Sequence, residues 1–418
     1  MRYVRVLLNL LAVAISLCVA LHFLKFLYSF HNTPMQSPVT SPVTKSSFVI
    51  SSPLPELNNG RRIVYVIDSG TYQPEIVIPA ITTLSDLRDI DLTFFTAEPW
   101  SPRSGAEPYH NRHINDSKPL TEFSVGHDIM TPDLILLLSC PEDVRALQHP
   151  LHHMLHRGAR VMCVVREAHK WSIKDSHSTV SSYEHQINFI KPWVLNRQFD
   201  FLTLSDYAQR YVQENFPEFL GTGPDVKYNS AIMYPAFIPS GTAYTMSLDL
   251  PRVAITTITL ENIVERYVFQ QPATIFKVAE AYVDRKDLFY KDNMKGKSAL
   301  SLRFAANIKN IGQSIAAISA FDGDENFESR TSMAIAASMI AGTPLVVSRK
   351  LQKYYDFPLG RAVWIQNYGE SEREVVKRIF EAGSREWRTR KIAMVLLREQ
   401  LIMRNFGLFE EILGVDRY

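Results

Sequence analysis

The sequence predicts an α/β protein with parallel sheets, preceded by a membrane-spanning helix and a disordered stalk. Three observations lead to this fold class. From residue 61 onward, short apolar runs alternate with helical segments, which is typical of parallel sheets covered by helices on both faces. The first thirty residues are far more apolar than the rest of the chain. Residues 31–60 are rich in Ser, Thr and Pro, a composition that disfavours both helix and sheet.

The overall composition excludes several classes of protein. Of the 418 residues, 46% are hydrophobic and 21% are charged, which excludes a disordered, collagen-like or coiled-coil chain. The formal net charge of +2 gives no strong basic footprint, so nucleic acid is not an expected partner. Three cysteines are too few for a small scaffold built on disulfides. The length allows two to three domains.

The amino-terminal segment has the charge pattern of a signal anchor. Arg2 and Arg5 precede an apolar run at 6–24 that is long enough to cross a ~30 Å hydrocarbon core, and Lys25 closes it. The positive charges place residues 1–5 in the cytoplasm and the body across the membrane. We expect an uncleaved anchor. A cleaved signal peptide is the alternative, although residues 17–20 resemble a cleavage site poorly.

The segment 25–60 is predicted to be a stalk. Two Ser-Pro-Val-Thr units stand in tandem at 37–44, and the stalk is either O-glycosylated or an ordinary linker. Asn115, in Asn-Asp-Ser, heads the one N-glycosylation sequon and is expected in a polar loop. Together these features predict a single-pass type II membrane protein of the Golgi or endoplasmic reticulum, with a lumenal body.

The body is divided by its pattern into two halves and a closing helical region. Strands are predicted in the first half at 62–67, 92–95, 133–138, 161–165 and 201–204. In the second half a strand falls within 315–321, and a helix of small residues runs to Ala341 before a strand at 345–347. Gly342 stands where a left-handed residue is needed to end that helix. Ser371 and Glu374 form a capping box that starts a further helix.

Two stretches of the body resemble the GT-B glycosyltransferases. Residues 332–348, SMAIAASMIAGTPLVVS, are similar to their carboxy-domain signature, in which a Glu-containing loop leads into a helix and then A-x-G-x-P-V-V. Residues 201–212 resemble the last strand and helix of their amino domain. The resemblance implies two Rossmann-like domains that face one another across a cleft. It implies an acceptor-side domain at 61–240, a nucleotide-sugar-binding domain at 241–385, and helices at 386–418 that pack back toward the first domain.

The same resemblance implies roles for residues of the second domain. The retaining branch of the family carries two Glu eight positions apart, the first contacting the donor sugar and the second the nucleotide ribose. Here the second position is Ala337 and the first is Ser329, so the motif is degraded. Glu328, one residue away, is then the candidate for the first role. The candidates for contact with the donor diphosphate are Ser329, Arg330, Thr331 and Arg349.

The acceptor-side candidates follow the strand predicted at 161–165, in Arg166-Glu-Ala-His169. Ligands of open α/β sheets bind at the carboxyl ends of strands. His169 and Glu167 are therefore candidates to orient or deprotonate an acceptor hydroxyl, and with Glu328 they form the predicted catalytic set. A surface-loop position is the alternative for His169.

Three further clusters have competing interpretations. Asp322 and Asp324 form the D-x-D pattern that holds Mn²⁺ in GT-A enzymes, but a solvated loop before a helix is the favoured interpretation. His152 and His156 have an i, i+4 spacing that can bind zinc, yet a solvated helix face is expected. No metal site is thus predicted. Two cysteines of the first half could form a disulfide or remain buried thiols, namely Cys140 and Cys163.

These observations predict a metal-independent glycosyltransferase of the hexosyltransferase class in the secretory pathway. It would move a sugar from a nucleotide-diphosphate sugar, its substrate, to a glycan, protein or lipid hydroxyl without a further cofactor. Two alternatives stay open. One is a non-catalytic GT-B-like partner or glycan-binding subunit, and the other is a metal-dependent GT-A enzyme that uses Asp322 and Asp324.

Overall fold

The computed structural model describes residues 60–70, 74–97, 112–125, 130–166, 168–171, 180–221, 229–238, 253–257, 311–312, 314–320, 333–354 and 360–415. All of them belong to the compact unit that spans Phe48–Tyr418. The predicted tail, anchor and stalk lie, up to residue 59, outside the described residues. Within the described part of the chain, no helix is long and apolar enough to cross a membrane.

The first sheet has seven strands, all parallel, in the order β3-β2-β1-β4-β5-β6-β7. The strands are β1 (Arg62–Asp68), β2 (Ile90–Thr96), β3 (Lys118–Pro119), β4 (Leu134–Leu137), β5 (Arg160–Val165), β6 (Phe199–Thr203) and β7 (Ser230–Ile232). The described helices between them are α1 (Pro74–Ser85), α2 (Arg112–Asn115), α3 (Leu120–Val125), α4 (Cys140–His156), α5 (Val180–Leu195) and α6 (Asp206–Phe219). Each strand predicted for the first half overlaps an observed one.

The central strands are buried along their whole length, which explains why most of their residues are apolar. Every residue of β1, β4, β5 and β6 is buried. Successive side chains of a strand point to opposite faces, so β1 supplies two cores. Val64 and Val66 pack in one cluster with α1, whereas Ile63 and Ile67 pack in the other with α4 and α5. The sheet is thus covered on both faces, as parallel sheets require.

The second sheet has four parallel strands in the order β11-β10-β9-β8. They are β8 (Val253–Thr257), β9 (Ala316–Ala320), β10 (Leu345–Val347) and β11 (Val363–Ile365), with helices α7 (Met333–Ala341) and α8 (Arg349–Tyr354). Helix α7 ends at Ala341, as predicted, and Gly342 follows in the left-handed region with φ 64°. The Gly342 N–H bonds to the Met339 carbonyl, and the Thr343 N–H bonds to Ser338.

A long helical segment, α9 (Glu372–Leu413), closes the described chain. It begins at the predicted capping box, in which the Ser371 hydroxyl accepts from the Glu374 N–H while the Glu374 carboxylate accepts from the Ser371 N–H. Gly383, with φ 76° and ψ 172°, interrupts the helical conformation within it. The sequence predicts two helices here, and the structure joins them across this break.

The end of α9 contacts the first sheet. Arg62 at the start of β1 donates from Nε to the carbonyl of Leu413 over 3.0 Å. The Asn405 amide bonds to both the N–H and the carbonyl of Tyr234, each over 2.8 Å. Helix α9 also packs on α7. The buried apolar residues of α9 belong to the same core cluster as those of β1 and α1.

The glycosylation sequon lies where a short helix passes into a loop. Asn115 is the last residue of α2, a single helical turn in which the Asp116 N–H bonds to the Arg112 carbonyl. Asp116 lies in the turn that follows and Ser117 in irregular structure, so the predicted polar loop begins directly after Asn115. The Asn115 side chain itself is exposed.

Candidate functional site

The strand order reverses between β1 and β4, and this switch point brings two loops together. In the sheet, β1 lies between β2 and β4, so the loops that follow β1 and β4 leave toward opposite faces. Such a point is where open α/β sheets bind ligands, outside the carboxyl ends of the strands. Asp68 ends β1 and Ser139 precedes α4, so both lie at this edge.

Two carboxylates tie these loops to each other. The Ser139 hydroxyl donates to Asp68 Oδ1 over 2.8 Å. The Asp143 carboxylate, one turn into α4, accepts from the N–H of Ser69 at 2.6 Å and from that of Ser139 at 2.8 Å. At the switch point, the loop after β1 and the loop after β4 are therefore held together by hydrogen bonds.

Gly70 is required where the two loops approach. A Cβ atom at this position would lie 2.5 Å from Ser139 Oγ and 2.8 Å from Ser139 Cβ. Real Cβ atoms do not approach other atoms so closely, so the residue after Ser69 must lack a side chain for the loops to meet.

We expect Gly70→Ala to cost about 1–3 kcal/mol of unfolding free energy, because Ser139 must move and its hydrogen bond to Asp68 is lost. Equilibrium denaturation of the variant measures this cost. The double variant Gly70→Ala/Ser139→Gly removes the obstructing atoms and should recover part of the loss. Equal destabilisation by Gly70→Ala in both backgrounds would contradict the proposed contact.

Glu75 is a buried carboxylate at the same edge. It is the second residue of α1 and only 3% exposed, and its Oε1 atom has no hydrogen-bond partner among the described residues. Burial raises the pKa of Glu75 to about 7. A hydrogen bond from its own backbone N–H and the charge of Arg166 act in the opposite direction, and the charge of Asp68 raises the pKa further.

Asp143 shares this electrostatic environment. Its complete burial, and then the charge of Asp68, raise the pKa of Asp143 to about 7, while the hydrogen bonds from Ser69 and Ser139 work to lower it. Three buried carboxyl groups thus stand at one edge of the sheet, and burial disfavours the charged forms of two of them, Glu75 and Asp143. Titratable groups with such perturbed pKa values in a crevice are typical of functional sites.

Arg166 adds a positive charge beside this acidic group. It follows β5 directly, and its positive charge lowers the pKa of Glu75. Of the acceptor-side residues predicted from the sequence, His169 lies in a short 3₁₀ turn at Ala168–Trp171, and only its backbone is described. Glu167 lies outside the described residues.

The donor-side candidates are described only in part. Glu328, Ser329, Arg330 and Thr331 lie outside the described residues, as do Asp322 and Asp324. Arg349 is the exposed first residue of α8. Only Ser348 separates it from β10, so it lies at the carboxyl end of a parallel strand. Ala337, at the position of the second family Glu, lies within α7. Among the described residues, no three His, Cys, Asp or Glu side chains are grouped as metal ligands would be.

The two cysteines form a disulfide, one of the alternatives that the sequence leaves open. Cys140 at the start of α4 bonds to Cys163 of β5, with Cα atoms 5.2 Å apart, inside the usual range of about 4.4–6.8 Å. The bond fixes the first turn of α4, which also carries Asp143. The disulfide therefore holds part of the switch point in place.

Sequence reasoning missed the three acidic residues of the site. A signal was present for Asp68, because Asp-Ser-Gly directly follows a buried strand at the first β–α connection. Glu75 and Asp143 gave no such signal, since acidic residues in the first turn of a helix are ordinary features that favour the helix dipole. Only the strand order shows that these two helix starts meet.

The comparison with solved structures identifies the fold as that of the GT-B glycosyltransferases, which confirms the α/β part of the predicted fold. The structure of Anabaena HepE in complex with UDP-glucose matches with a TM-score of 0.52 at 10% identity, over 85% of this chain and all of that one (100%). HepE in complex with UDP matches with a TM-score of 0.50 at 12% identity, over 84% and 99% of the two chains. No protein-family model matches the sequence, and no curated protein matches it.

Proposed function

We propose that this protein is a glycosyltransferase that moves a sugar from a nucleotide-diphosphate sugar to a hydroxyl of a glycan, protein or lipid. One observation carries the proposal. The chain shares the GT-B fold with HepE along the whole of HepE, and HepE binds UDP-glucose. A UDP-sugar is therefore the first donor to test, and the reaction is that of a hexosyltransferase.

The switch point supplies the base that such a reaction needs. The acceptor oxygen attacks the anomeric carbon, the bond from that carbon to the diphosphate breaks, and the acceptor proton passes to a carboxylate. Glu75, with its pKa near 7, is partly ionised at neutral pH and can accept this proton. Arg166 favours the ionised form of Glu75. We propose that His169 and Glu167, which follow β5 in the sequence, orient the acceptor.

The donor is proposed to bind against the second sheet. Ser329, Arg330, Thr331 and Arg349 would contact its diphosphate, and Glu328 its sugar, as the family resemblance implies. Positively charged and N–H groups there would stabilise the charge that develops on the leaving diphosphate. The proposed reaction needs no metal ion.

A non-catalytic GT-B-like subunit is the second candidate. It is favoured by Ala337, which lies within α7 and has no polar side-chain atom to bind the nucleotide ribose. A partner protein of this kind could keep the fold without turnover. The GT-A alternative has no support from the fold, because the fold is GT-B and Asp322 and Asp324 lie outside the described residues.

The secretory pathway is proposed as the compartment. The Cys140–Cys163 disulfide supports an oxidising lumen, where such bonds persist, and the exposed Asn115 sequon is compatible with glycosylation there. With the charge pattern around residues 6–24, these features favour a type II protein of the Golgi or endoplasmic reticulum membrane.

In intact microsomes, we expect the body to be protected from added protease and to stay with the membrane in alkaline carbonate. An Asn115→Gln variant should migrate faster by one glycan, which reports lumenal exposure independently. Release of the body by carbonate would instead show that the amino-terminal segment is a cleaved signal.

A donor screen tests the proposed activity. The full-length protein, purified in mild detergent, is incubated with UDP-, GDP- and CMP-sugars, and release of the nucleotide is measured with and without EDTA. We expect release from one donor class in both conditions. Protection of the thermal midpoint by the nucleotide without any turnover would favour the non-catalytic alternative, and loss of turnover in EDTA would contradict metal independence.

A further inference from the structure

Two histidines at the end of α4 form a close pair on the surface. His152 and His156 are both exposed, one helical turn apart, and the Nε2 atoms of their rings lie 3.2 Å from each other. Their ring centroids are 4.3 Å apart. The buried face of the same helix is formed by Leu151 and its neighbours, and both rings lie beside that face, exposed to solvent as the sequence predicts.

A tryptophan on the neighbouring helix holds the two rings in place. Trp193 of α5 is buried, and its ring meets His152 edge-on at 5.6 Å and His156 edge-on at 4.9 Å between centroids. Phe189, one turn earlier on α5, lies 6.4 Å from His152. Packed side chains lose less conformational freedom when they bind a ligand, so this arrangement is preorganised.

The spacing of the two nitrogens matches that of two ligands on one metal ion. A metal bonded to two imidazole nitrogens at ~2.0–2.1 Å holds them roughly 2.9–3.4 Å apart, for bond angles between square-planar and tetrahedral values. The 3.2 Å between the Nε2 atoms lies within this range. We propose that His152 and His156 bind a divalent transition-metal ion of the imidazole-preferring class, such as Zn²⁺ or Cu²⁺.

The contact between the two rings sets the tautomers that metal binding requires. Without a metal, one Nε2 donates a hydrogen bond to the other; for both Nε2 atoms to bind a metal ion, the donating ring must carry its proton on Nδ1 instead. Water completes the coordination, since no third His, Cys, Asp or Glu joins this pair among the described residues. The position at the carboxyl end of α4 favours a cation, because the helix dipole is negative there.

This site is separate from the proposed transfer site. The switch point is formed by the start of α4, including Asp143, whereas the histidine pair is at its last turn. The non-helical conformation of Leu147 divides the helix between the two. A metal bound to positions i and i+4 would brace the second part of α4 and its contact with Trp193.

The test uses the tag-free, full-length protein titrated with Cu²⁺, a quencher of nearby tryptophan fluorescence. We expect saturable quenching near one equivalent, with the midpoint raised about tenfold or more by His152→Gln or His156→Gln. His149→Gln is the matched control, because His149 is exposed on the same helix outside the pair. Its midpoint should equal that of the unmodified protein.

Two further measurements test which tryptophan is quenched and whether the metal stabilises the fold. Trp193→Phe should reduce the quenching, while calorimetry still detects Cu²⁺ binding. Zn²⁺ should raise the thermal midpoint of the unmodified protein by about 2 °C or more, reversibly with EDTA, but not that of His152→Gln. The absence of saturable quenching in the unmodified protein, or an unchanged midpoint in both pair variants, would overturn the proposal.

Discussion

Glu75→Gln should yield a protein that is more stable than the original at pH 8 and that no longer transfers sugar. Glu75 is buried, and its Oε1 atom has no hydrogen-bond partner among the described residues, so the ionised carboxylate is costly to keep there. An amide of the same shape removes that cost. It also removes the proposed proton acceptor, so transfer should fall by about 10²-fold or more.

The pH dependence of the effect follows from the direction of the shift. Burial raises the pKa of Glu75 from 4.5 to about 7, so between these values the folded protein binds more protons than the unfolded chain. Stability is therefore lost as the pH rises through this window. The gain from Gln should be near zero at pH 4.5 and roughly 2–3 kcal/mol at pH 8. The pKa of Asp143 is raised in the same way, and that part of the pH dependence should remain.

Glu142→Gln is the matched control for this experiment. Like Glu75, Glu142 lies in the first turn of a helix, but its side chain is exposed. Both substitutions lose the same small interaction with the helix dipole, so their difference isolates burial. Denaturation curves at pH 4.5 and pH 8, with transfer assays on each variant, give the comparison. A Glu75→Gln protein that is less stable at pH 8, or that still transfers sugar at the original rate, would contradict the role of Glu75.

The strands and helix ends of this fold are predictable because their causes are local. Strands β1 and β5 lie in the middle of a covered parallel sheet, so the residues between their charged ends form a nearly continuous apolar run. The end of α7 is equally local, since Pro344 cannot continue a helix and Gly342 can adopt the left-handed conformation. Such features need no knowledge of the rest of the chain.

The candidate site is not predictable in this way, because strand order creates it. Asp68 and Asp143 are 75 positions apart in the sequence, yet both bond to Ser139 or its neighbours once β1 and β4 are adjacent. The buried ion pair of Arg160 with Asp200, 2.5 Å between nitrogen and oxygen, arises in the same way from the register of β5 and β6. The spacing of the histidine pair was visible, but the 3.2 Å between its nitrogens depends on rotamers that Trp193 fixes.

Gly342→Val should be the most destabilising single change at the end of α7, at about 2–4 kcal/mol. Two costs combine. The backbone at Gly342 has φ 64°, which a β-branched residue adopts only with strain. A Cβ atom there would also lie 2.9 Å from Val395 Cγ2 on α9, closer than packed carbons allow. The sequence alone does not show the steric cost, because only the folded structure brings Val395 next to Gly342.

Three variants separate the two costs. Gly342→Ala and Gly342→Asn add the same Cβ atom, but Asn tolerates the left-handed region better, so Asn should be the milder of the two. Val395→Ala removes the methyl group that a Cβ at 342 would contact. The destabilisation that Gly342→Ala still causes in this background is therefore due to backbone strain alone. Denaturation midpoints of these proteins give the backbone strain and the steric cost separately. Equal stability of the Val and Asn variants would show that residue 342 is not the left-handed end of α7.

The consequence for function depends on α9 as much as on α7. Arg398 of α9 donates to the carbonyl of Ile340 over 2.8 Å, and the same guanidinium lies 3.5 Å from the position of a Cβ at Gly342. A side chain at 342 must therefore push α9 away from the end of α7 or tilt α7 itself. If the start of α7 contacts the donor diphosphate, tilting it should weaken the protection of the thermal midpoint by UDP. Unchanged protection in a folded Gly342→Val protein would place the diphosphate away from this helix.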